Sequence, residues 1–195
     1  MLAPIARDIR ARSLFSGFLA LLLAPGLACA QGQPDKHVQL NKLLDALRSA
    51  PDAQTAVPLE TQIRGLWTTL GSPAVTLLMS RGLRELQAGA NDDAVEDFGD
   101  AVALDPNLAE AYHERAIARF QAGDTRGAIA DLQATVQHEP RDFAAFETLS
   151  RIAETREDWK SAYAAWQKVM ELDPKTPGGE ERLKELKRKA FGEET

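Results

Sequence analysis

Cysteine is almost absent from this chain: Cys29 is the only one in 195 residues. No intramolecular disulfide and no cysteine-rich zinc site can therefore form, because both need several sulfurs at set spacings. Histidine is nearly as scarce, with His37, His113 and His138 alone. The His-Glu-x-x-His, Gly-x-Ser-x-Gly, phosphate-loop and Gly-x-Gly-x-x-Gly patterns are all missing, so the common hydrolytic, metalloprotease and nucleotide-binding chemistries have no local signature. Positive charge is also lacking. The formal net charge is −6, and removing the +2 of the first thirty residues leaves −8, which gives no electrostatic footprint for DNA or RNA. Acidic pairs such as Asp92-Asp93 and Glu193-Glu194 read as solvated turns and termini. His113 has no second ligand at i+3 or i+4, so neither a metal nor a cofactor is expected, and the chain does not read as an enzyme.

Long apolar runs are missing as well. The longest, Leu14 to Leu23, is too short for a bilayer, which asks for about 20 residues. Arg7, Arg10 and Arg12 precede this run, and Pro25-Gly26 and Ala28-Cys29-Ala30 follow it. That order of basic, apolar and small residues marks a secretory signal peptide over 1–30, cleaved after Ala30, with no integral span left in the mature chain. The expected location is the periplasm. Lipid anchoring through Cys29 is the alternative, although Gly26 stands where such sites usually carry leucine.

What is present is a repeat. One pattern of 34 residues runs three times, over 73–106, 107–140 and 141–174, closing on Asp105-Pro106, Glu139-Pro140 and Asp173-Pro174. Each copy carries an Ala-x3-large pair: Ala94 with Phe98, Ala128 with Leu132, Ala162 with Trp166. A fixed period of this length means stacked supersecondary units that share a continuous core. On these residues the chain resembles the tetratricopeptide-repeat family. The resemblance implies an all-α, right-handed α-solenoid of helix-turn-helix units. Around the repeats lie a flexible mature start over 31–36, a degenerate helical hairpin over 37–72, and a capping helix with its tail over 175–195. Pro51 to Pro58 reads as the hairpin's connector, and the hairpin is expected to stack on the N-terminal end of the array, anchored by Trp67 and Leu70.

Comparison of the copies adds two expectations. Gly82, Ala116 and Ser150 are equivalent and small, so the two helices of each unit should approach most closely there. Arg81 and Asp97 are equivalent to Arg115 and Asp131, whereas the third copy has Leu149 and Ala165. Two positions that turn apolar together point to an Arg–Asp pair joining the helices of the first two units, since a buried charge needs a partner.

The resemblance places the first helix of each unit on the concave face. The groove positions are then Met79, Leu83 and Leu86, followed by His113, Ile117 and Phe120, and by Glu147, Arg151 and Glu154. Such a face suits a partner helix or extended peptide. The lysine and asparagine with which some members clamp a carboxylate terminus are missing, because Met79, Leu83, His113 and Ile117 hold those positions. The expected function is a non-enzymatic protein–protein interaction scaffold of the bacterial periplasm. The alternative is a self-associating structural subunit of an envelope assembly, a homo-oligomer.

Overall fold

The computed structural model describes residues 35–192, which fall within one compact unit. The signal-peptide reading, with Cys29, lies outside the described residues. Nine helices and no strands are found among them: α1 (Lys36–Arg48), α2 (Ala53–Trp67), α3 (Pro73–Gln87), α4 (Asn91–Leu104), α5 (Ala109–Gln121), α6 (Thr125–His138), α7 (Phe143–Thr155), α8 (Trp159–Leu172) and α9 (Gly179–Phe191). None is long and apolar enough to cross a membrane.

Punctuation in the sequence sets these boundaries. Asp124, Asp142 and Asp158 cap α6, α7 and α8 by accepting backbone N–H groups from Gly127, Ala145 and Ser161, which satisfies donors left unpaired at a helix start. Asp105, Glu139 and Asp173 end α4, α6 and α8 in extended backbone, with φ of −137°, −132° and −130°. Each precedes a proline, whose ring disfavours the helical conformation of its predecessor. The turns inside the units use positive φ at Gly89 (77°), Gly123 (90°) and, at the equivalent place in the third unit, Glu157 (56°). A glutamate in the left-handed region is strained where glycine is not.

The three units pair α3 with α4, α5 with α6, and α7 with α8. Neighbouring first helices touch one another, α3 with α5 and α5 with α7, while no two second helices make comparable contact. The first helices therefore form the inner layer. Inside each unit the close approach falls at Gly82 against Phe98, and at buried Ala116 and Ser150. The Ser150 hydroxyl donates to the Ala162 carbonyl at 3.1 Å. Leu186 of α9 joins the core of the third unit, where the Trp166 indole N–H donates to the Gly179 carbonyl at 2.9 Å.

The hairpin departs from the sequence reading in two ways. Residues 53–58 are helix rather than connector, because Asp52 caps α2 and accepts from Thr55 N–H at 2.8 Å. Pro58 sits inside α2 on its exposed side. Proline has no N–H for the Gln54 carbonyl, and an exposed face is where that loss costs least. Nor does the hairpin stack on the end of the array. Leu40, Leu44, Leu47, Ile63 and Trp67 share one core with Phe143 and Ala144 of α7, and Leu172 packs against it. The hairpin crosses the inner layer as far as the third unit. Its apolar stripes are matched there by Phe143 and Leu172, so burial favours folding back over end-on stacking.

Candidate functional site

The inner layer and α2 enclose a cleft of about 240 Å³ lined by Arg64 and Trp67 of α2, His113 and Ile117 of α5, and Glu147 and Arg151 of α7. Trp67 is seated by its amphipathic helix, and its ring lies 5.4 Å from that of Phe143. Arg64 lies over the same phenylalanine, 4.8 Å from the centroid, and donates to Glu147 Oε2 at 2.7 Å. A helix is thus held across the inner face by an aromatic anchor and a charged hydrogen bond. Further along, Arg141 donates to Asn41 and lies 3.4 Å from Asp45. Glu60 faces Asp173 at the end of α8. Burial, then the Asp173 charge, pushes Glu60 up to about 7, and burial also raises Asp173.

The groove residues expected from sequence divide into four groups. His113, Ile117, Glu147 and Arg151 come together in the cleft. Met79 is fully buried in the first unit's core, with Leu83 and Leu86 packed against it. Phe120 packs against the core of the second and third units. Glu154 pairs with Arg182 of α9, whose guanidinium lies 4.7 Å from the Trp166 ring centroid. Glu154 therefore belongs to the capping contact rather than the groove. The Arg–Asp positions lie between the helices of their units. Arg81 bonds Asp97, and Arg115 donates to Asp131 from Nε at 2.9 Å and from Nη2 at 2.7 Å. Arg119, which the comparison of copies did not single out, adds a third donor to Asp131 at 2.7 Å.

Beneath the cleft lies a cluster that sequence reasoning missed. His113 is 4% exposed, Glu110 5% and Asp142 1%. His113 Nδ1 stands 3.8 Å from Glu110 Oε2 and 3.7 Å from Asp142 Oδ2. Burial favours a neutral imidazole, but the Asp142 and Glu110 carboxylates outweigh it and push His113 up to about 9. Burial raises Asp142 to about 6, and burial with the Glu110 charge raises Glu114 to about 7. Glu110 was legible at i−3 on the same helix. Asp142 was not, because only stacking brings the third unit's helix cap to the second unit's first helix.

No family model matches the chain. A TPR repeat-containing protein of Rhizobium etli is 26% identical over 157 residues, covering 80% of this chain and 77% of that protein. Tetratricopeptide repeat protein 36 of Mus musculus is 45% identical over 56 residues, only 29% of this chain and 30% of its own length. Among solved structures, MamA superposes with a TM-score of 0.56 at 19% identity, covering 82% of this chain and 85% of its own. The first tetratricopeptide domain of Spaghetti (RPAP3), bound to an HSP90 peptide, gives 0.56 at 19% identity, with 60% of this chain and 94% of that one covered.

Proposed function

We propose that this chain, a tetratricopeptide-repeat protein, works as a non-enzymatic interaction scaffold whose inner face takes a helix or extended segment of another protein. The observation that carries this reading is that the inner face already holds a helix. α2 is seated by Trp67 on Phe143 and by Arg64 on Glu147, the chemistry of helix-in-groove recognition. The RPAP3 domain, of the same fold, is described with a peptide bound. An incoming partner competes with α1 and α2 for these contacts, so the hairpin sets a threshold that the partner's own affinity must exceed. The basic, apolar and small residues over 1–30 support placing this activity in a bacterial periplasm, among envelope proteins.

The test is crosslinking capture from intact envelopes with three proteins whose helix content is matched by circular dichroism. Trp67→Ala with Arg64→Ala weakens the hairpin and is expected to raise capture of a partner. Ile117→Lys changes the cleft wall and is expected to lower it. Equal capture by all three refutes recognition on the inner face. A concentration-dependent mass without any partner points instead to the self-associating subunit.

A further inference from the structure

We propose that Glu110, His113 and Asp142 form a binding site for one divalent transition-metal cation of the zinc class, held between the second and third repeats. Three observations carry it. First, Glu110 Oε2, His113 Nδ1 and Asp142 Oδ2 are each buried without a hydrogen-bond partner, and such atoms cost free energy unless something satisfies them. Second, these atoms converge, all lying within 4.8 Å of one another. Ligands bound tetrahedrally to one zinc ion at about 2.0–2.2 Å stand about 3.3–3.6 Å apart, so the 3.7 and 3.8 Å separations from His113 need only a small closure, and the two carboxylate oxygens start within 4.8 Å of each other.

Third, the supporting hydrogen bonds are those a metal site requires. The Thr148 hydroxyl donates to the Ala144 carbonyl at 3.0 Å, so towards His113 it accepts, taking the Nε2 hydrogen at 3.2 Å. In the neutral ring this leaves the Nδ1 lone pair facing the two carboxylates. Asp142 Oδ1 is fixed by the Ala145 N–H at 2.9 Å, which leaves Oδ2 for the ion. Outer partners that fix tautomer and ligand orientation are the usual second layer of metal sites.

Charge and donor type choose the ion. Without an ion His113 keeps its proton between the two carboxylates; a divalent cation displaces that proton and then meets two carboxylates and a neutral imidazole, a sum of −2 that it cancels. One imidazole nitrogen with two carboxylate oxygens suits zinc, cobalt, nickel or manganese better than calcium, which takes six to eight oxygens. Water from the adjoining cleft, which Glu110 and His113 also line, supplies the remaining position. The bound ion would tie the start of α5 to the cap of α7, directly beneath Trp67. This holds whatever partner the inner face takes.

The full chain, stripped with chelator and dialysed, is titrated with Zn²⁺ by calorimetry and melted at each addition. The expected result is one ion per chain and a Tm raised by about 5–10 °C at roughly hundredfold excess over Kd. Both are lost in His113→Gln and kept in His138→Gln. Absence of stoichiometric binding to the wild type, or its survival in His113→Gln, overturns the site. Should His113→Gln fail to fold, X-ray absorption of the wild-type zinc complex decides. A shell with one imidazole and oxygens supports the site, and a shell without imidazole overturns it.

Discussion

Replacing Gly82 by alanine probes how closely the helices of the first repeat approach, and the structure sets the size of the effect. A Cβ at that position would stand 2.8, 2.9 and 3.1 Å from three carbons of the Phe98 ring. Favourable carbon contacts lie at about 3.5–4.0 Å, so a ring with no exposed surface must retreat by more than about half an ångström. Overpacking of this kind costs about 1–3 kcal/mol, offset by about 1 kcal/mol from alanine's better helix propensity. The single variant should therefore lose about 1 kcal/mol. Phe98→Leu alone leaves a void and should lose about 1–2 kcal/mol. The second repeat already carries Ala116 and Leu132 at these two places, both fully buried. The double variant recreates that pairing and should be no less stable than Phe98→Leu. Urea unfolding followed by far-ultraviolet circular dichroism reads all four proteins. A favourable coupling of about 1–2 kcal/mol is expected. Additivity within about 0.5 kcal/mol refutes the argument.

Asp131→Ala strands Arg115 and Arg119 together and should cost about 3 kcal/mol. Combining it with Arg115→Leu and Arg119→Ala copies Leu149, Ala153 and Ala165 of the third repeat and should recover part of that loss in the same unfolding assay. Glu157→Gly relieves a left-handed glutamate and should raise stability by about 0.5–1 kcal/mol by thermal melting, whereas Gly123→Glu should lower it by a similar amount. Glu60 gives a pH dependence. Burial, then the charges of Asp173 and Glu147, raises its pKa to about 7 when the hairpin is docked, against the lowering effect of Arg64 on the same helix. Its contribution to docking is therefore complete below the usual carboxylate range and is lost as pH rises through about 7. Amide exchange in α2 should show stronger protection at acid than at alkaline pH, corrected for intrinsic rates. Glu60→Gln should flatten that difference, and an unchanged slope counts against the assignment.

Periodicity was enough for the repeats. The 34-residue spacing, the Ala-x3-large pairs and the acidic residues before Pro106, Pro140 and Pro174 are local rules, and a helix obeys them wherever it packs. Repeat comparison also reached Arg81–Asp97 and Arg115–Asp131, because residues that must neutralise one another vary together. Arg119 escaped because its equivalent in the first repeat is Glu85, so no matching partner marked the position. The reading of 51–58 as connector failed because proline dominates a local pattern, whereas a strong cap at Asp52 and an exposed site tolerate it inside a helix.

The sequence by itself determined the six repeat helices, their order and the units into which they pair, since these depend on neighbours within one 34-residue period. Only the tertiary structure decided where the hairpin lies and what lies beneath it. Arg64 and Glu147 are 83 residues apart, and Arg141 and Asn41 are 100 apart. Whether an apolar stripe stacks on the end of a solenoid or folds across its inner layer depends on which surface matches it. The same holds for Glu110, His113 and Asp142. Two belong to one helix turn, and the third arrives only because a helix cap in the next repeat is stacked against them.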